Sequence, residues 1–373
     1  MIVADKPCPA AGVFTTNKVQ GAPVVISEQH LQGRSIQAII CNSGQANVGT
    51  GRQGLADARR MCKLTAEQVG CEASQVLVCS TGVIGQRLDM TRIARGIAVV
   101  GQKLARGSVA NHEVANSILT TDLTAKSACR SINLGGKRVH LAGVAKGSGM
   151  IGPNMATMLV FLTTDCAITA GRLKRALVQA VNVSFNRIGV DMDTSTSDAV
   201  LILANGSADN RRVNAACTDE RRFLAALTDL CRDLAYRIVR DGEGATKVFR
   251  VDIKGARSES DADLIGRAVV GSPLVKAAVH GSDPNWGRLL MAVGKSGAAV
   301  DPDRLTLTIE SQCVFKAGVP ARLSAASLRR LDQAMKRKDV TFKISLGLGR
   351  GAAQWLGCDL SREYVTINAD YTT

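Results

Sequence analysis

Chemistry is most strongly suggested in this sequence by KGSGMIGPNMATML, residues 146–159, where a hydroxyl nucleophile, Thr157, follows a small residue, Ala156. Glycines and a proline keep the first part of the stretch out of a helix or an ordinary strand. Residues 158–165, MLVFLTTD, then form an apolar run of buried-strand length. Two readings stand at the junction. Thr157 is the first residue of a buried strand, a position threonine often fills. Alternatively the backbone is cut in front of it, and the freed amine serves as the base that activates its own hydroxyl, which is otherwise a weak nucleophile near neutral pH.

Four other polar clusters lie beside apolar runs. Residues 42–51, NSGQANVGTG, read either as a substrate-facing loop or as a capped turn into the next helix. Residues 80–85, STGVIG, read as a turn in which Thr81 and Gly82 could aim a hydroxyl and an N–H at a developing oxyanion. In residues 184–198, Asp191, Asp193 and Asp198 invite a cation reading. The spacing lacks the central glycine and final glutamate of a calcium loop, so an ordered hydrogen-bonded loop is expected. Glu243 sits between glycines in DGEGATK, where its carboxylate could approach a ligand closely or simply face water.

Around these clusters, periodicity predicts strands over 22–27 and 36–41 and a helix over about 53–69. A strand over 76–79 and an Asp89-capped helix over about 90–105 follow. Strands are expected near 130–133, 137–145 and 157–163, then a helix over about 170–182 and a strand over 199–204. A helix over about 219–240 carries Asp219 and Glu220 in its first turn, where the helix dipole favours them. A strand over 248–253 leads into a polar break at 254–261. That break predicts a main catalytic domain over 1–255 and a smaller C-terminal domain over 256–373. The latter reads as a helix over about 260–271, a turn at 283–288, a strand near 304–309, a helix near 323–337 and a strand over 340–346.

With 373 residues, 46% of them hydrophobic and only 3% aromatic, the chain can build a large aliphatic core, and its 36 glycines suit an α/β enzyme rich in tight turns. No apolar run reaches the roughly 20 residues that span a bilayer, and no signal peptide is read at the start. The eleven cysteines form no CxxC pair, a reduced, cytoplasmic pattern, and the four histidines lack metal-ligand spacing, so no metal site is expected. The net charge of +15 is spread along the chain and is not interleaved with stacking aromatics. It therefore argues for anionic small-molecule substrates rather than nucleic acid. Gly294-Lys295-Ser296 lacks the first glycine of a phosphate loop. GLGRGA at 347–352 stands too close to the chain's end for a dinucleotide-binding unit.

Taken in order, these segments resemble the ornithine acetyltransferase (glutamate N-acetyltransferase) family. The matching blocks are AAGVFTTNKV at 10–19, CNSGQAN at 41–47, STGVIG at 80–85, TTD at 120–122 and KGSGMIGPNMATML at 146–159. They continue with SFNRI at 184–188, DTSTSD at 193–198, DGEGATK at 241–247, DPNWGR at 283–288 and INADYTT at 367–373. The resemblance implies an α/β (α+β) fold with a layered αββα-type sandwich, a smaller C-terminal α/β domain, and an autocleaved N-terminal-nucleophile-like organisation. It implies cleavage between Ala156 and Thr157, with Thr157 as the nucleophile and Thr81 and Gly82 as the oxyanion hole. Substrate contacts would fall on Thr120 (or its neighbour Thr121), Lys146, Thr157, Glu243, Asn368 and Thr373. The implied reaction takes acetyl from N-acetylornithine to the threonine hydroxyl and then to glutamate, with no metal or bound cofactor. Some members also accept acetyl-CoA as donor. The implied assembly is a heterotetramer of two cleaved chain pairs, with no nucleic-acid or membrane partner.

The sequence departs from that pattern at its start, where members usually carry a further segment: either the start codon is misassigned or an edge strand is missing. It departs again after SFNRI, where the usual TVDGDTSTND is changed by Gly189, Met192 and Ser197. If the usual glycine needs φ > 0, Met192 is strained there. The rival reading within enzymes is a self-cleaving aminopeptidase or amidohydrolase, in which water replaces glutamate. A non-enzymatic basic binding protein would leave the chain uncut.

Overall fold

Along the strand Val76–Val83, successive side chains enter two different cores. Val76 and Val78 pack with Ala38, Ile40 and helix residues Ile26, Met61, Cys62 and Ile97. Leu77 and Cys79 pack instead with Ile39, Val144, Leu159, Phe161 and Leu201. A strand buried on both faces reads as a continuous apolar run, which is why this one carries no polar alternation. The computed structural model describes residues 1–32, 35–152 and 158–370.

The chain divides into two units. The first comprises Met1–Phe185 and Asp193–Ile238. It contains a three-stranded sheet in the order Ile2–Cys8, Ile36–Gln45, Val76–Val83. It also contains a five-stranded sheet in the order Ala10–Phe14, Ala199–Ala204, Leu159–Thr164, Lys137–Lys146, Lys126–Leu134. The two sheets face each other through the Ile39–Leu77–Phe161–Leu201 core. Helices Ala22–His30, Gly51–Val69 and Met90–Gln102 cover the outer face of the smaller sheet. Helix Ala170–Asn182 packs against Ala10–Phe14, and Leu234 of helix Thr218–Arg240 presses on Gly143 and Leu162 of the larger sheet. The result is the layered αββα sandwich. Each fully buried Leu, Ile or Phe in these layers contributes roughly 1.5–3 kcal/mol of apolar burial.

The second unit comprises Asn186–Met192 and the chain from Val239 onward. Its mixed sheet has seven strands in the order Val319–Pro320, Gln312–Lys316, Thr306–Ile309, Asp339–Ser345, Val248–Ala256, Gly351–Cys358, Ile188–Gly189. Phe249, Val251 and Ile253 of the central strand pack with Ile265 and Val269 of helix Glu259–Val270. The polar stretch 254–261, expected to separate domains, lies inside this unit. Its first residues complete the strand Val248–Ala256, and the Ser258 hydroxyl accepts the Asp261 N–H to cap the next helix. Its polarity belongs to a helix cap rather than a linker, and the division falls between Ile238 and Val239.

One expected strand is a helix. Residues 22–27 open the helix Ala22–His30, with Pro23 in its first turn. Three successive β-branched residues, Val24–Ile26, favoured a strand locally. Tertiary context wins because the helix covers the edge strand Val76–Val83, where Ser27 Oγ both donates to the Val78 carbonyl at 2.7 Å and accepts its N–H at 2.9 Å. Helices Ser108–Ser117, Pro273–His280 and Arg362–Asp370 and the strand Gly351–Cys358 were not read from the pattern. Within the expected 283–288 turn, Asn285 caps a further helix, Trp286–Gly294.

Candidate active site

The two polar clusters at 42–45 and 80–83 are not loops. They continue the parallel strands Ile36–Gln45 and Val76–Val83, with Asn42 opposite Ser80, Ser43 opposite Thr81 and Gly44 opposite Gly82. Ser80 Oγ donates to Asn42 Oδ1 at 2.6 Å. Gly82 has φ +122°, and a Cβ there would lie 2.3 Å from the Gly44 carbonyl carbon. Only glycine tolerates both the backbone region and the approach.

Beside this strand end, Lys146 Nζ donates to Thr81 Oγ1 at 3.0 Å, and both side chains are buried. An ammonium group has no acceptor lone pair, so Thr81 Oγ1 is the acceptor and its own hydrogen points elsewhere. Lys146 ends the strand Lys137–Lys146, and the backbone turns immediately at Gly147, which has φ +150°.

A second buried lysine stands nearby. Lys126 Nζ donates to Asp122 Oδ1 at 2.7 Å, with side chains 1% and 0% exposed. Asp122 also accepts the N–H groups of Gly147 at 2.7 Å and Thr120 at 3.2 Å. Burial works against ionising Asp122, but Lys146 and Lys126 outweigh it and hold the carboxyl below its ordinary value. Burial lowers Lys146, with Asp122 and Asp198 opposing that shift. Two lysines against one ionised aspartate leave a locally positive site, suited to a substrate carboxylate or a developing oxyanion.

Asp198 closes the same region from the loop at 193–198. Its Oδ1 accepts the Met158 N–H at 2.8 Å. The Ser195 hydroxyl faces the carboxyl, yet Oδ2 has no well-formed hydrogen bond among the described residues. Burial pushes the Asp198 carboxyl well above its ordinary value. A buried polar group left unpaired costs on the order of 1–3 kcal/mol, so a retained one calls for an explanation. The loop itself is ordered and hydrogen-bonded, as expected. Thr15 Oγ1 donates to the Ser195 carbonyl, Asn17 Nδ2 donates to the Thr194 carbonyl, and the Ser197 N–H reaches Ser195 Oγ. Among the described residues no His, Cys, Asp and Glu group has the makings of a metal site.

In the second unit, Glu243 and Asn368 meet. Asn368 Nδ2 donates to Glu243 Oε2 at 2.8 Å. The Glu243 loop is fixed from both sides. Ser361 Oγ donates to the Gly244 carbonyl and accepts the Tyr364 N–H, while the buried Asp359 accepts both N–H groups of Thr246 and Lys247 and the Thr246 hydroxyl. Gly244 has φ +66°, and a Cβ there would lie 2.5 Å from the Tyr364 nitrogen. Met192, in the same unit, has φ +71°, the left-handed region foreseen for that position.

Of the residues read from sequence, Lys146 joins Thr81, which Gly82 follows on its strand, and Asp122 accepts from Thr120 and faces Lys146, all in the first unit, while Glu243 and Asn368 pair in the second. Ala156, Thr157 and Thr373 lie outside the described residues. Asp122, Lys126 and the support from Asp359 and Ser361 were missed. Asp122 belonged to the quoted TTD block and its partner Lys126 lies only four residues on, but outside a helix that spacing gave no reason to pair them. Among the described residues every cysteine is a free thiol. No helix among them is long and apolar enough to cross a membrane.

The ArgJ family model matches residues 1–373. The arginine biosynthesis bifunctional protein ArgJ of Dehalococcoides mccartyi is 46% identical over the whole of this chain and 90% of its own length. That of Symbiobacterium thermophilum is also 46% identical, over the whole chain and 92% of its length. A crystal structure of the protein of that name from Bacillus halodurans is 38% identical, covers 57% of this chain and 98% of its own, and superposes with a TM-score of 0.54.

Proposed function

This chain belongs to the ArgJ family and is an acetyltransferase of arginine biosynthesis; on that premise we propose that it moves an acetyl group from N-acetylornithine to glutamate through an acetyl ester on Thr157. The observation that carries the reading is the buried Lys146–Thr81 hydrogen bond. It commits Thr81 Oγ1 to accepting from lysine and frees its hydrogen for an oxyanion, beside the Gly82 N–H.

The precursor first processes itself. Thr157 Oγ attacks the Ala156 carbonyl, the peptide C–N bond breaks to give an ester and a free amine, and water hydrolyses the ester to leave an Ala156 carboxylate. The Thr157 amine, with an ordinary pKa near 8, then acts as base. It takes the hydroxyl proton as Oγ bonds to the acetyl carbon and passes it to the departing ornithine nitrogen as that C–N bond breaks. In the second half the glutamate amine attacks the acetyl ester, its C–N bond forms, the Oγ–C bond breaks, and the proton returns to Oγ. Thr81 and Gly82 stabilise the oxyanion in both halves, and Lys146 and Thr120 serve the anionic end of the substrate. Glu243 holds an ammonium group with Asn368 as its support, and Thr373 completes the substrate contacts. No cofactor is required, and acetyl-CoA would enter, where accepted, as an alternative acetyl donor. The cleaved pair of chains would assemble as a dimer of pairs.

Two measurements test this. On denaturing electrophoresis the purified protein should run as two pieces, the larger beginning at Thr157, and Thr157→Ala should leave one intact band. Incubation with N-acetylornithine alone should release at most one ornithine per active site, and sustained release should require glutamate. Continued turnover without glutamate would instead identify a hydrolase.

A further inference from the structure

We propose that Asp122 is a positioning residue for Lys146, tying down the backbone at the end of the lysine's strand and supplying the negative charge that its ammonium group faces. The inference rests on the reading of Lys146 as a contact for a substrate carboxylate and adds the group that sets its place and its charge. The first ground is geometric: several hydrogen bonds converge on one carboxylate. Asp122 Oδ1 accepts the N–H of Gly147, the residue directly after Lys146, at 2.7 Å and across 25 positions of sequence. Asp122 Oδ2 accepts the Thr120 N–H at 3.2 Å, so the same side chain holds a second expected substrate contact. Lys126 Nζ fixes the carboxylate in turn, donating to Oδ1 at 2.7 Å and to the Thr124 carbonyl at 3.2 Å. Lys126 stands opposite Ala145, the neighbour of Lys146, so both buried lysines lie at the same end of one strand pair.

The second ground is charge. Among the described residues, the titratable groups facing Lys146 are Asp122, Asp198, Cys41 and Lys126. Burial works against the Lys146 ammonium, and Asp122 is the strongest of the groups that oppose it. Burial drives the Asp198 carboxyl well above its ordinary value and pushes the Cys41 thiol up to about 12, which leaves both poorly ionised. Asp122 behaves in the opposite way, because Lys146 and Lys126 outweigh its burial and keep it ionised. Its carboxylate is therefore the principal counter-charge to Lys146, and Lys126 shares it. The lysine so held donates to Thr81, so the same aspartate also bears on the proposed oxyanion hole.

The test follows KM for N-acetylornithine at saturating glutamate from about pH 6 to pH 10, across the range below the ordinary lysine value. It compares wild type, Asp122→Asn, the double variant Asp122→Asn/Lys126→Met and Lys146→Met, each checked for a wild-type-like circular dichroism spectrum. The substrate titrates identically with every enzyme, so only the protein separates the curves. Asp122→Asn keeps the size and a carbonyl acceptor for Gly147 but removes the charge. The pH at which KM climbs should fall by about one to three units, as Lys146 loses its proton sooner. A merely structural aspartate would change KM by the same factor at every pH, and an unshifted curve in folded Asp122→Asn overturns the proposal. Should the single variant fail to fold with Lys126 left buried and unpaired, the double variant decides by the same downward shift, since replacing both partners is tolerated better than removing one. Lys146→Met with a wild-type KM would instead overturn the carboxylate-contact reading beneath it.

Discussion

The sulfur of Met192 fills the space that a side chain on residue 189 would need. A Cβ built on Gly189 would lie 2.5 Å from Met192 Sδ and 2.9 Å from Val270 Cγ1. Gly189 and Met192, two of the three positions at which the loop departs from the resembled pattern, therefore share one space. The Met192 side chain fills that space and packs against the core of the second unit, at a backbone φ of +71°.

A double-mutant cycle reads this coupling. Gly189→Thr alone should destabilise the protein by overpacking, by about 1–3 kcal/mol. Met192→Gly alone relieves the backbone but empties the cavity. The double variant should be more stable than the two single changes summed predict, with a coupling of about 0.5–3 kcal/mol in urea unfolding. Additive effects would show that the two positions are independent.

Thr81→Val removes the hydroxyl that Lys146 orients while keeping the strand's shape. Acetyl transfer should fall by about a hundredfold to a thousandfold in kcat, the cost of one oxyanion donor. An unchanged kcat, measured with saturating N-acetylornithine and glutamate, would remove Thr81 from the oxyanion hole.

Glu243→Gln preserves an acceptor for Asn368 and removes the charge. The melting temperature should hold, while KM for N-acetylornithine rises by an order of magnitude or more, the loss of a charge-assisted contact worth about 1.5–3 kcal/mol. A KM within twofold of wild type would argue that the carboxylate faces water only.

Burial opposes ionisation of Asp359, but hydrogen bonds from the Thr246 hydroxyl, the Lys247 N–H, the His280 ring and the Thr246 N–H outweigh it and hold the carboxyl below 3.8. A folded value below the unfolded one gives stability that is present above pH 3.8 and is lost as pH falls through the lower folded value. Asp359→Asn should therefore lower stability near pH 7, and the gap to wild type should close in that acid window. A gap that stays constant down to pH 2 would refute the assignment.

Ser27→Ala leaves the Val78 N–H and carbonyl on the edge strand without their partner. The expected loss is about 1–3 kcal/mol of stability, with catalysis at permissive temperature unchanged. A neutral variant by thermal melting would mean that water replaces the hydroxyl.

Much of this protein was legible from its sequence. Continuous apolar runs marked Leu159–Thr164 and Ala199–Ala204 because both faces of a central strand are buried. Asp89 was read as a helix cap from local chemistry alone, and its carboxylate accepts the Thr91 and Arg92 N–H groups. The motif blocks pointed to the family, and the positive φ at Met192 followed from a glycine being replaced. Tertiary structure alone decided the rest. It turned 22–27 into a helix by giving Ser27 an edge strand to cover, and it drew the apparent loops at 42–45 and 80–83 into paired strands. It brought Lys146 to Thr81 and Asp198 to Met158. Local propensity extends over a few residues, whereas buried charges and backbone donors must find partners wherever the packed sheets place them, up to 65 positions apart for Lys146 and Thr81.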